Sequence, residues 1–172
     1  FVVNHEGAKL LSGFVKMRPR LQALLVADHV YADKATGKHI VAGTFNTLLF
    51  VKPEAMKKQN EPGEVQVGVP FAGASAGSPF VYLCLTDIRG NQAFKLRYVH
   101  LNDDRLLFEI QFNLSCADPL EMVEIAIPSP SLPTGVPGTY AFELVWNDEP
   151  LGAYRIIVRE FQRPEKNNGG NT

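Results

Sequence analysis

Between residues 106 and 114, Leu106, Phe108, Ile110, Phe112 and Leu114 occupy every second position, with Glu109, Gln111 and Asn113 among the residues between them. A strand sends consecutive side chains to opposite faces, whereas a helix would scatter these residues around its circumference. The stretch therefore reads as a strand with one apolar and one wetted face, and the apolar face needs a second layer to cover it. The same period recurs along the chain. Phe94, Leu96 and Tyr98 alternate with Lys95 and Arg97. Val123, Ile125 and Ile127 alternate with Glu124 and Ala126. Tyr140, Phe142, Leu144 and Trp146 share one phase, as do Tyr154, Ile156 and Val158.

The breaks between these runs carry turn chemistry. Asp33-Lys34-Ala35-Thr36-Gly37-Lys38 separates strands predicted over 21–31 and 39–50, and Asp87-Ile88-Arg89-Gly90-Asn91 separates 80–86 from 92–101. Asn102-Asp103-Asp104 and Asn147-Asp148-Glu149-Pro150 supply two more hairpins. Asn, Asp and Gly adopt positive φ or bond their own backbone, as tight turns require. About eight strands result, and no long segment has helical periodicity. These features predict an all-β fold, an antiparallel two-sheet sandwich, immunoglobulin-like or related, with a closed barrel as the competing architecture. In Pro137-Gly138-Thr139-Tyr140, the tyrosine is expected to bury its ring and bond back with its hydroxyl.

The 172 residues suit one domain, predicted over 19–160, with an N-terminal extension over 1–18 and a flexible tail over 161–172. A formal net charge of −1 argues against nucleic-acid binding, because counterion release needs a cationic face. Lys57-Lys58 and Lys95/Arg97 are the basic pairs, and Glu54, Glu61 and Glu64 offset them. No run approaches the ~18 apolar residues of a membrane span. Cys84 and Cys116 both lie in apolar surroundings and read as reduced, buried, small hydrophobes; a bridge would need neighbouring strands. The expected location is cytoplasmic, with a leader cleaved before residue 1 as the alternative.

The block Leu24-Leu25-Val26-Ala27-Asp28, then residues 33–38, then Ala42-Gly43-Thr44-Phe45, closes with Pro137-Gly138-Thr139-Tyr140-Ala141-Phe142-Glu143-Leu144 and Leu151-Gly152. Together they resemble an uncharacterised bacterial family of small β-sandwich proteins, a domain of unknown function. The resemblance spans about residues 19–160 and rests on turns and core strands. It implies a bacterial, cytoplasmic, single-domain protein and transfers no catalytic residue.

Candidate chemistry is sparse. Gly73-Ala74-Ser75-Ala76-Gly77 matches the GxSxG nucleophile elbow, but Ser78-Pro79 and a strand follow where the elbow needs a helix. A small-residue loop accounts for it better. His5, His29, His39 and His100 lack metal-ligand spacing. Asp28 is in phase with Leu24, Val26 and Val30, so it is expected to face apolar neighbours and act as a structural bracket or a ligand contact. His29 and His39 flank the first hairpin and complete the set of candidate polar residues. The loop acids Asp87, Asp103, Asp104 and Asp148, with Asn102, would suit calcium only by converging, and successive hairpins point to opposite ends. No catalytic residue, metal site or cofactor is predicted.

These readings predict a non-enzymatic protein-interaction or assembly domain, adaptor or structural in role. Its partner, another protein or a second copy, would engage an edge strand or the 53–79 loop. The alternative is a small-ligand module for carbohydrate or lipid, which would need a concave pocket with exposed aromatics. Neither nucleic acid nor membrane is an expected partner.

Overall fold

The computed structural model describes residues 18–50, 78–133 and 135–161. Among them are nine strands and no helix: β1 (Arg20–Ala32), β2 (His39–Thr44), β3 (Thr47–Phe50), β4 (Phe80–Thr86), β5 (Gly90–His100), β6 (Arg105–Cys116), β7 (Val123–Pro128), β8 (Gly138–Trp146) and β9 (Glu149–Glu160). They form two sheets, four-stranded in the order β2-β1-β4-β7 and five-stranded in the order β3-β9-β8-β5-β6. The readings for residues 1–17, for 53–77 with the Ser75 motif, and for 162–172 fall outside the described residues.

The alternating apolar residues meet between the sheets. Leu24 and Val26 of β1 and Val81, Leu83 and Leu85 of β4 face Phe94, Leu96 and Tyr98 of β5, Tyr140, Phe142, Leu144 and Trp146 of β8, and Ile156 and Val158 of β9. Tyr98 is the aromatic hub. Its ring lies 4.7 Å from Phe142, 5.3 Å from Phe108 and 5.5 Å from Tyr140. Covering one such ring contributes up to about 3 kcal/mol, so this column is a main source of cohesion between β5, β6 and β8. The Tyr140 ring is buried and its hydroxyl donates to the Val136 carbonyl at 2.7 Å, as its sequence context predicts.

One expected strand divides. Residues 39–50 read as a single run, yet β2 pairs with β1 in one sheet and β3 with β9 in the other. The chain changes sheets at Phe45-Asn46. The Phe45 amide still donates to Val26 of β1, while the Asn46 carbonyl already accepts from Ile157 of β9. β3 then runs parallel to β9, so the pairing is not antiparallel throughout. Sheet switching at a corner leaves the local alternation intact, which is why periodicity does not show it.

A second cluster lies apart from the main core. Ala27 and Val30 of β1 join Tyr82 and Cys84 of β4, with Val41 and Ala126 packed against them. Ala27 and Val30 are an odd number of positions apart, so β1 does not keep strict alternation here. Gly43, on β2, has φ +72° and lies beside Asp28. The break in phase brings Val30, Val41 and His39, on the distal part of the hairpin, against Tyr82 and its neighbours.

Candidate functional site

The first hairpin holds all three predicted polar residues and separates their roles. Asp28 is exposed, not turned toward an apolar environment. The expected phase fails because the alternation set by Leu24 and Val26 ends before it. Its carboxylate lies over Gly43, close enough that a Cβ there would stand 2.5 Å from Oδ2. His29 is also exposed and is opposite Ala42, whereas His39 is opposite Ala32. The two histidines are thus three ladder positions apart and do not form a pair.

His39 instead joins a polar cluster centred on Tyr82. The two rings are 5.8 Å apart and tilted. Tyr82 donates its hydroxyl to Glu124 Oε1 of β7, and His39 Nδ1 lies 3.5 Å from Glu124 Oε2. Glu124 is directly across the ladder from Cys84. Burial, reinforced by the Glu124 bond and charge, pushes the Tyr82 phenol up. Burial and then the Glu124 charge push the Cys84 thiol up. Both groups are held protonated, the opposite of what a nucleophile requires. The cluster ties β2, β4 and β7 together across one sheet face. Cys116 belongs to the main core, and both cysteines are free and buried.

His100 carries no metal-ligand spacing in the sequence, yet it makes the second polar cluster. Its ring is buried at the end of β5, with Nδ1 2.5 Å from Asp103 Oδ1 and the ring 4.6 Å from Tyr140. That bond holds the Asp103 carboxyl below its ordinary range, with Arg105 nearby adding to the effect. A His–Asp pair resembles part of a nucleophile-activating set. Here, however, Nε2 faces the Gly138 backbone, where even a Cβ would come within 2.5 Å, and has no hydrogen-bond partner among the described residues. No reacting group fits at that nitrogen. With Asn102 Oδ1 accepting from the Thr139 amide at 3.1 Å, the pair braces the β5–β6 turn against the entry to β8. The local signal was a histidine three residues before an aspartate in a turn.

The loop acids do not converge. Asp87 meets Arg20 at 3.2 Å, Asp103 meets His100, and Asp148 meets Lys95 at 2.9 Å. No group of three or more metal-ligating side chains is found among the described residues. On the outer face of the five-stranded sheet, Arg97 binds Glu109 at 2.9 Å and Gln111 donates to the same carboxylate. A groove of about 320 Å³ opens beside them, lined by Lys95, Gln111, Asn113, Asn147 and Asp148 over Phe94 and Phe112. Phe94 is only 1% exposed, so it offers no free aromatic platform.

The most distinctive surface is the β6 edge. Among the described residues β6 bonds only to β5, leaving one side of a twelve-residue strand without a ladder partner. Phe108, Ile110, Phe112 and Leu114 pack against the core yet stay half-buried, and so do Val123, Ile125 and Ile127 of β7, the edge of the other sheet. Leu106 is 50% exposed at one end. Leu120 and Met122, beyond the other end, are 86% and 61% exposed. From 106 to 116 the sole charge is Glu109, already paired with Arg97. The other edges are shorter: β3 has four residues, β2 has six with Gly43, and β7 has six and ends in Pro128. β6 lacks the prolines, lysines and brevity that usually protect an edge, but it carries a bulge at Leu106–Phe108, opposite Tyr98 and Val99, so the regular open stretch is 108–116.

No protein-family model matches the chain, and no curated protein matches it. No helix of the described residues is long and apolar enough to cross a membrane.

Proposed function

We propose that this chain is a non-enzymatic protein-interaction or assembly domain whose contact surface is the β6 edge. The observation that carries the reading is the combination of a long strand with a ladder on one side alone among the described residues and a half-exposed apolar row beneath it. An incoming extended segment would complete the ladder and place alternate apolar side chains over Phe108, Ile110, Phe112 and Leu114. Buried His100 and half-buried His39 support the same reading, because the bonds they make brace turns and neighbouring strands. The proposal includes an immunoglobulin-like sandwich, for which the Tyr140 corner and the two-sheet order are the support, and membership of the uncharacterised bacterial family that the sequence resembles. A cytoplasmic setting belongs to it as well.

A photo-crosslinking residue at Gln111 tests the assignment, with the same group at Arg155 on β9 of the same sheet as the comparison. Adducts in native extract at Gln111 and not at Arg155 are expected. Equal labelling at both positions, or none at Gln111, refutes the edge assignment. The groove beside Lys95 favours a second reading, capture of a small polar ligand such as a carbohydrate. Under that reading Lys95→Ala would weaken binding of a glycan probe and Leu106→Lys would not.

A further inference from the structure

We infer that the distal half of the first hairpin, residues 28–32 with 39–43, is a hinged flap that closes over the outer face of the four-stranded sheet and is latched there by His39. The flap belongs to the sheet opposite β6 and works independently of that edge. The ladder registers force its geometry. His39 is opposite Ala32, Ala23 is opposite Cys84, and Cys84 is opposite Glu124. In a flat sheet the nine positions from Ala23 to Ala32 would separate His39 from Glu124 by about 30 Å along the strands. The order β2-β1-β4-β7 adds three strand spacings, about 14 Å, across them. Yet His39 Nδ1 lies 3.5 Å from Glu124 Oε2, and two such side chains span at most about 12 Å between their Cα atoms. The ordinary twist of a sheet does not close that gap. The hairpin therefore turns back over β4 until its far end meets β7.

The hinge is local. Ala27 is opposite Thr44 and His29 is opposite Ala42, but Asp28 and Gly43 between them are not paired. Gly43 has φ +72°, a conformation that suits glycine and lets the ribbon bend sharply. Ala27 is opposite Phe80, the first residue of β4, so beyond it β1 has a described ladder partner on the β2 side alone. Past the kink one face of the ribbon turns onto the sheet. Val30 is buried with Ala27, Tyr82 and Cys84, and Val41 and Ala126 pack against the same group. The other face stays in solvent, where Tyr31 and Ile40 are 54% and 39% exposed.

Among the described residues the closed flap is held by little beside the main core: two valines, the His39–Tyr82 ring contact at 5.8 Å and the His39–Glu124 contact. A unit with few buried apolar contacts that keeps its own hairpin hydrogen bonds opens locally, at lower free energy than the whole domain unfolds. Opening uncovers Ala27, Tyr82, Cys84 and Ala126, an apolar surface with the Glu124 carboxylate beside it. The flap thus decides when that surface meets solvent or a partner.

Thiol labelling of the full chain at constant pH tests it. Peptide mass spectrometry resolves Cys84 from Cys116, and Trp146 fluorescence follows global unfolding in the same urea series. Cys84 is expected to be labelled at least about tenfold faster than global unfolding permits, at a rate that urea changes little below the transition. His39→Ala is expected to raise that rate about tenfold, equally for iodoacetamide and for a bulky maleimide, while Cys116, in the main core, keeps its wild-type rate. Tyr31→Ala, on the solvent face of the ribbon, is expected to leave the Cys84 rate unchanged. Wild-type Cys84 labelled only as fast as global unfolding allows, with the full urea slope, overturns the flap whatever the variants do. So does a His39→Ala rate equal to wild type, one raised for iodoacetamide alone, which marks a hole in a fixed hairpin, or a rise shared by Cys116, which marks loss of global stability. An equal rise in Tyr31→Ala removes His39 as the latch.

Discussion

Gly43 offers the sharpest test of how the first hairpin is built. Its φ of +72° lies in the left-handed region, and a Cβ at this position would stand 2.5 Å from Asp28 Oδ2 and 3.1 Å from Asp28 Cβ and Cγ. Gly37, in the hairpin turn, has φ +70° with nothing within 4 Å of its would-be Cβ. The two glycines therefore separate backbone strain from steric conflict. Gly37→Ala pays only the left-handed cost, about 1–2 kcal/mol. Gly43→Ala pays the same and must also push Asp28 aside. The exposed carboxylate can rotate away, but Asp28 Cβ is fixed to the backbone and must give by about 0.4 Å to reach ordinary contact near 3.5 Å. About 1 kcal/mol of extra loss is expected, at the low end for overpacking. Urea unfolding followed through Trp146, the sole tryptophan and a buried one, measures both. In melting temperature the excess amounts to roughly 2–4 °C. Adding Asp28→Ala to Gly43→Ala should recover most of the excess and none of the common part. Equal losses at Gly37 and Gly43, or no coupling to Asp28, would refute the placement of Asp28 over Gly43.

Four further outcomes follow from the core and the titrating groups. Tyr140→Phe removes the hydroxyl that donates to Val136 and is expected to cost about 1 kcal/mol in the same urea assay; Phe142→Ala, which empties the centre of the aromatic column, is expected to cost about 3–5 kcal/mol. In alkali, the folded state holds Tyr82, Tyr98, Tyr140 and Tyr154 protonated above their ordinary value, chiefly through burial. The unfolded chain releases those protons first, so stability should fall as pH rises past about 10, with tyrosinate absorbance appearing together with unfolding. In acid the sign is the other way: Asp33, Asp103, Glu109 and Asp148 are held below their ordinary values by the hydrogen bonds of Thr36, His100, Arg97 and Lys95, so their contribution is present above about pH 4 and is lost as pH falls below it. Thermal melts at pH 6 and pH 3 check this, and unchanged stability at pH 3 would contradict it.

The alternating pattern at 106–114, 94–98, 123–127, 140–146 and 154–158 was legible because strand phase is a local property, repeated every two residues. Those positions are strands, and their apolar phases meet in the core except at Leu106: a β-bulge opposite Tyr98 and Val99 shifts the phase, so Leu107 packs inward and Leu106 is left 50% exposed. The tyrosine corner was legible too, since the bond from Tyr140 to Val136 spans only four residues. Asp28 departs from its expected inward phase for a related reason. Phase carries forward only while the strand stays regular, and β1 loses it beside Gly43. The division of 39–50 between two sheets, the parallel pairing of β3 with β9, and the meeting of His39 with Tyr82 and Glu124 had no local signature. They depend on residues about 40 to more than 100 positions apart.

The candidate surface divides the same way. The composition of β6, apolar on one phase with a lone glutamate on the other, stands in the sequence. That β6 is an edge does not, because an edge is defined by which strand fails to arrive beside it. Alternation commits a segment to a sheet through the geometry of its own backbone. Only the long-range pairing of β5 with β8 on one side and β6 on the other decides which of two similar strands is enclosed and which, among the described residues, has a ladder on one side alone.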